Sequence, residues 1–165
     1  MKRFLLAFGV LVSCTAMAAN SPSASQHALD HGKFLVGYGG CNDCHTPGWA
    51  EHAGHAPKAM LLTGSGMNFQ GPWGTTYAPN LRLYVQKLTA KKWIAKMRSL
   101  KARPAMPFWT FRYLSDKDLA DMYAYIHSLG PAGEPAHDYV PPGQAAPLPY
   151  FKLKLPPPPV QPASH

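Results

Sequence analysis

At 165 residues the chain accommodates one domain with some length to spare, and two domains are not expected. Its formal net charge is +8, from 16 Lys and Arg against 8 Asp and Glu, which favours acidic partners. Three cysteines are too few for the disulfide framework of a small secreted protein, leaving redox, metal or cofactor chemistry for them.

The chain opens with Lys2 and Arg3, an apolar run from Phe4 to Val12, and the small-residue stretch Ala16-Met17-Ala18-Ala19. That order reads as a secretory signal peptide over residues 1–19, so the mature protein is expected in the periplasm. The apolar run is well short of the roughly 18 to 20 residues a membrane-crossing helix needs, and no later segment comes closer. No transmembrane span is therefore expected. Leu11-Val12-Ser13-Cys14 also resembles a bacterial lipoprotein box, in which Cys14 would carry lipid and anchor the mature chain. If cleavage instead follows Ala18 or Ala19, only Cys41 and Cys44 remain and the net charge falls to about +6.

Residues 20–25 read as a polar linker, after which Gln26 to Tyr38 carries Ala28, Phe34, Leu35 and Tyr38 at helical spacing. A first helix is expected up to Gly39-Gly40. From Thr46 to about Lys87 the sequence is rich in Gly and Pro and holds no period, which predicts a long loop. So long a loop fits one domain only if it serves a function, such as wrapping a cofactor. Trp93, Ile94, Met97 and Leu100 then form the apolar side of a helix starting near Thr89, with Lys91, Lys92, Arg98 and Lys101 on its basic side. Pro104 and Pro107 interrupt the chain, and Ser115-Asp116-Lys117-Asp118 opens a last helix with Leu119, Met122, Tyr123 and Ile126 as its stripe. Gly130-Pro131 stops it, closing an expected domain over residues 20–130.

Residues 131–165 hold 11 of the 18 prolines and predict an extended tail, partly polyproline II. Tyr139, Leu148, Tyr150 and Phe151 are expected to fasten its first half, with the last ten residues mobile. No acidic residue lies between His52 and Ser115, whereas ten Lys and Arg do, so an acidic docking face on the partner is expected. Export makes nucleic acid an improbable partner for that basic stretch.

The chemistry concentrates in Cys41-Asn42-Asp43-Cys44-His45. On a helix beginning at Cys41, the two thiols fall on one side and His45 follows on the same wall. Two thiols can add to the vinyl groups of haem while the adjacent imidazole binds iron. The alternatives are a redox dithiol, which would be expected near a β-α-β pattern that is not found, and half a zinc site, for which His52 and His55 are the nearby ligands. For the second axial position of iron, Met106 stands out because Pro104 and Pro107 fix a non-helical loop around its thioether. Met60 and Met67, in the long loop, stay open, while Met97 and Met122 read as helix core. His27 and His31, four apart, read as a solvated face, and His127 as a partner of its helix's dipole.

Three further blocks accompany that motif: Gly71-Pro72-Trp73-Gly74-Thr75-Thr76-Tyr77-Ala78-Pro79-Asn80-Leu81, Met106-Pro107-Phe108, and Ser115 to Leu129. With Gly39 to Gly48 in front of them, the chain resembles the class I monohaem cytochrome c family, most of all the haem domains of bacterial dehydrogenase-associated cytochromes. The resemblance implies an all-α fold whose first and last helices cross near a covalently bound haem c. It further implies Cys41 and Cys44 as thioether sites, His45 and Met106 as axial iron ligands, the carbonyl of Pro47 as acceptor for the His45 ring N–H, and Trp73 and Tyr77 beside the haem propionates. The chain departs from many dehydrogenase subunits in having one Cys-x-x-Cys-His motif rather than several, and in lacking acidic and Gly-rich text after Asn80-Leu81.

The function expected is one-electron transfer by a soluble carrier or an electron-accepting subunit, with a periplasmic dehydrogenase or terminal oxidase as partner and no catalytic residue of its own. A haem enzyme or gas sensor with an open or weakly held sixth iron position is the competing class. A third is an assembly subunit whose proline-rich tail wraps a partner.

Overall fold

A computed structural model describes residues 25–156. The signal-peptide reading, Cys14 and most of the last ten residues lie outside them.

The first helix, α1 (Gln26–Tyr38), begins where the Ser25 hydroxyl accepts from the Ala28 N–H, and has the expected bounds. Its buried side differs from the one the aromatic residues suggested. Gly32 and Val36 face inward, whereas Phe34 and Tyr38 stack on each other in solvent, 60% and 84% exposed. The cause lies in the partner helix: α1 lies so close to α5 (Asp116–Ser128) that a Cβ on Gly32 would sit 2.0 Å from the Asp121 carbonyl oxygen. Only glycine permits that approach.

Next come α2 (Cys41–His45) and the long segment expected to be featureless. That segment holds a hairpin of β1 (Phe69–Gly71) and β2 (Gly74–Thr76), paired Phe69 to Thr76, and the short helix α3 (Leu81–Gln86) capped by the Asn80 side chain. Three-residue strands and a six-residue helix are too brief to show a period in sequence. The basic helix α4 (Ala90–Arg98) starts at its Thr89 cap and buries Trp93 and Met97 as expected. A 3-10 turn, Phe108–Tyr113, then leads to α5, whose Ser115 and Asp118 make a reciprocal capping box. Beyond α5, Gly130 turns the chain with φ 71°.

The tail does not stand apart. Its β3 (Phe151–Lys152) adds to β1 in parallel, making a three-stranded sheet in the order β2-β1-β3, and Val140 bridges to Thr75. Of the four expected fasteners, Tyr139 donates to the Trp73 carbonyl at 2.7 Å and Phe151 packs on Phe69 at 5.9 Å. Tyr150 is half-buried, and Leu148 remains 74% exposed. The fold is thus helical with a small sheet rather than purely helical, because the segment 69–76 pairs as a hairpin and the tail adds an edge strand to it. Among the described residues no helix is long and apolar enough to cross a membrane.

Candidate functional site

The five residues of α2 are too few for a helix to persist by itself. Neighbouring chain holds it. Gly40 enters with φ 66°, and three of the helix's last four carbonyls accept from outside or from its cap: Asn42 from the Thr46 N–H, Cys44 from Gly66 and Met67, and His45 from Gly64 at 2.7 Å. Thr46, fully buried, ties the end down further, its hydroxyl donating to Asn42 Oδ1 and accepting from the Leu62 N–H, both at 2.9 Å.

Held this way, Cys41, Cys44 and His45 open onto a cavity of about 310 Å³ between α2, the hairpin, α4, α5 and the segment 102–106. Its wall is overwhelmingly apolar, with Trp93, Met97, Met122 and Ile126 of the core on one side. A cavity of that size and character suits a large, flat, apolar group held by a few polar contacts.

Cys41 and Cys44 are free thiols, three apart on one helical face. Burial pushes the Cys41 thiol up to about 11 and Cys44 in the same direction, with Asp43 adding to both. Both are protonated at neutral pH, the reverse of the activated thiolate of a redox dithiol. Nor do three His, Cys, Asp or Glu side chains converge among the described residues as a zinc site would require.

His45 is 5% exposed, and its Nδ1 lies 2.8 Å from the carbonyl oxygen of Pro79. A carbonyl only accepts, so Nδ1 carries the proton and Nε2 keeps a free lone pair for a metal. Burial lowers the affinity of this imidazole for a second proton, partly offset by the Pro79 bond. The expected acceptor, Pro47, is corrected to Pro79. The chain leaves α2 extended at Thr46, and the segment 62–80 folds back across the helix through Gly64 to His45 and Ser65 to Ala78. The Pro79 carbonyl, one residue before the Asn80 cap, lies outside the α3 ladder and is free to serve.

Met106 is half-buried and lines the cavity from the segment 102–106. Met67, Met97 and Met122 also line it, whereas Met60 lies beside Gly48 and does not. Met67 is bonded through its N–H to the Cys44 carbonyl, which puts it on the thiol side, and Met97 and Met122 belong to the packed core. Met106 therefore differs from the other three in coming from a separate loop.

Tyr77 lines the cavity with its ring, while its hydroxyl donates to the carbonyl of Pro147 in the tail. Trp73 packs over Gly71 and is not part of the lining, yet its indole Nε1 is buried without a hydrogen-bond partner among the described residues. A buried unpaired donor is costly, and a carboxylate brought by a ligand would satisfy it. His31, read as part of a solvated face, instead bonds Asp121 at 2.9 Å across the α1–α5 contact. His127 stacks on Tyr123. Sequence reasoning passed over Pro79 and treated Arg103, which also lines the cavity, only as one charge among many.

The residues present fit a haem: two thiols and a neutral imidazole at one wall, a thioether from a separate loop, and apolar sides. No curated protein and no solved structure gives a significant match. The family model described as Cytochrome c matches residues 29–130, well over half the chain. The chain therefore belongs to the cytochrome c family, as a class I c-type cytochrome with covalently attached haem c and its iron.

Proposed function

We propose that this protein is an exported, periplasmic one-electron carrier or the electron-accepting subunit of a dehydrogenase, with α1 and α5 crossing beside its haem. The observation that carries this reading is the opening of Cys41, Cys44 and His45, together with Met106, onto one apolar cavity. When bound, haem supplies a one-electron couple at iron, one electron arriving from a reduced partner and one leaving to an oxidised partner.

The chain's own residues hold and shield that couple. Cys41 and Cys44 would hold the macrocycle through thioether bonds, so that it could not be lost by dilution outside the cytoplasm. Pro79 keeps the His45 ring in the tautomer and orientation that present Nε2 to iron. Met106 would be the second protein ligand to the iron, a thioether that would raise the potential and leave no place for an exogenous ligand. Tyr77 would contribute its ring, its hydroxyl being engaged by the tail, and Trp73, outside the lining but with an indole N–H that has no partner among the described residues, would donate to a haem carboxylate. Exposed Lys91, Lys92, Lys96 and Lys101 supply a basic docking surface for an acidic face on a dehydrogenase or terminal oxidase.

The test is the visible absorption spectrum of the oxidised holoprotein, beside that of Met106→Ala. The wild type is expected to show the weak long-wavelength band of iron bound to a methionine sulfur, and the variant to lose it. A wild type without that band that takes up carbon monoxide when reduced would sink the carrier reading in favour of a ligand-binding haem protein.

A further inference from the structure

The haem cavity is apolar, and Arg103 is the one Lys or Arg among its lining residues. A haem carries two carboxylates, so the position of the only lining cation bears on how that charge is met. Arg103 is exposed and has no carboxylate within salt-bridge distance among the described residues. Its guanidinium carbon instead lies 3.6 Å over the ring of Tyr139. Such stacking holds a flexible, charged side chain in one orientation without neutralising it.

Tyr139 is itself fixed. Its hydroxyl donates to the Trp73 carbonyl at 2.7 Å, and the next residue, Val140, exchanges two backbone hydrogen bonds with Thr75 at 2.8 and 3.0 Å. A Cβ on Gly74 would meet the Val140 carbonyl at 2.3 Å and the Tyr139 ring at 2.9 Å, so the tail lies directly on the hairpin. Trp73, with its unpaired indole N–H, and Arg103, with its unpaired charge, are thus both fastened to one tail residue. That residue lies past position 130, beyond the part of the chain matched by the family.

We propose that Tyr139 is a positioning residue that holds Arg103 at the cavity rim as the counter-cation of a haem carboxylate, raising the reduction potential. The proposal rests on the cavity being the haem site. Reduction lowers the positive charge at iron by one, so a cation fixed nearby opposes oxidation, and losing it favours the oxidised form.

Spectroelectrochemical titration of the holoprotein tests this. Arg103→Gln, at an exposed position, is expected to fold and to shift the reduction equilibrium about threefold toward the oxidised form, ~30 mV at 59 mV per tenfold for one electron. Tyr139→Leu is expected to reproduce most of that shift, and Tyr139→Phe, which keeps the ring and its anchorage through the Val140–Thr75 backbone bonds, to leave the potential near that of the wild type. In the Arg103→Gln background Tyr139→Leu should add nothing further. An unchanged potential in Arg103→Gln, a full shift in Tyr139→Phe, or an equal shift from Tyr139→Leu with Arg103 absent would each overturn the proposal while leaving the haem reading intact. A wild type with no c-type haem spectrum overturns both.

Discussion

Arg82 is the side chain on which the backbone at the end of α5 depends. It is 5% exposed and has no carboxylate within salt-bridge distance among the described residues; its Nε donates to Gly130 O at 2.6 Å, Nη1 to Lys58 O at 3.1 Å and Nη2 to Leu129 O. Two of these carbonyls lie just past α5, where the helix dipole places partial negative charge, so the cation is met by dipoles rather than by an anion. Arg82→Met removes all three donors and leaves the half-buried carbonyls of Leu129 and Gly130 without them, while the Lys58 carbonyl keeps the Leu61 N–H. It is expected to cost about 2–3 kcal/mol in urea unfolding, and Arg82→Lys less, because one ammonium cannot reproduce the planar fork. Nothing in the sequence set Arg82 apart from the other cations of the basic stretch. Arg98 is a second such case: it bonds Asp116 at 2.7 Å and the carbonyls of Phe111 and Leu114, so it braces the start of α5 rather than extending a docking face. Which cation turns inward depends on carbonyls far away in sequence, and no local pattern records that.

The contact between α1 and α5 sets the requirements of the element scale. Gly32 and Gly37 are both in α1, yet an added Cβ at Gly32 meets the Asp121 backbone at 2.0 and 2.6 Å, whereas at Gly37 it meets nothing within 4 Å. Gly32→Ala must separate the two helices and is expected to lose about 2–3 kcal/mol. Gly37→Ala, on the exposed side, should gain about 0.5–1 kcal/mol through the lower entropy of the unfolded chain. Thermal unfolding of the two variants beside the wild type checks both. The same contact carries a pH dependence. Burial alone would raise the Asp121 carboxyl, but Lys117 and His31 hold it below the ordinary range, and the Ser115 hydroxyl and N–H do the same for Asp118. A depressed carboxyl contributes stability that is whole above its unfolded value, near 4, and is lost as pH falls through the folded one. Urea midpoints should therefore hold steady down to about pH 5 and fall below about pH 4, with a shallower fall in Asp121→Asn. Apolar spacing made α1 and α4 legible in advance, and the Ser115-Asp118 opening did so for α5; the buried side of α1 was not, because a glycine at a helix crossing leaves no apolar mark in the sequence.

For the whole molecule the uneven charge is the feature a partner meets. Lys91, Lys92, Lys96 and Lys101 are exposed on or just after α4, and no acidic residue interrupts the chain between His52 and Ser115. Electron exchange with an anionic small reagent such as hexacyanoferrate should slow as ionic strength rises, since screening shortens the reach of that field to about 8 Å at physiological salt. Lys91→Glu with Lys92→Glu should flatten the dependence, measured by stopped-flow absorbance. Equal slopes for wild type and variant would remove α4 as the steering surface. The tail belongs to this scale as well: Pro147, Pro149, Phe151 and Leu153 are all bonded to the segment 68–77 that walls the cavity. Its proline content announced an extended chain but not where that chain would lie.

The sequence by itself determined the chemistry and the local elements. Cys41, Cys44 and His45 stand within five residues, and the caps at Ser25, Thr89 and Ser115 act over three, so short-range spacing carries their information. Only the tertiary structure decided that Pro79 rather than Pro47 serves His45, that the tail completes a sheet, and that Tyr139 meets Arg103. Those pairs lie 34 or more residues apart. What joins them is the folding back of segments with no period of their own, whose backbone polar groups must find partners wherever the packed helices leave them.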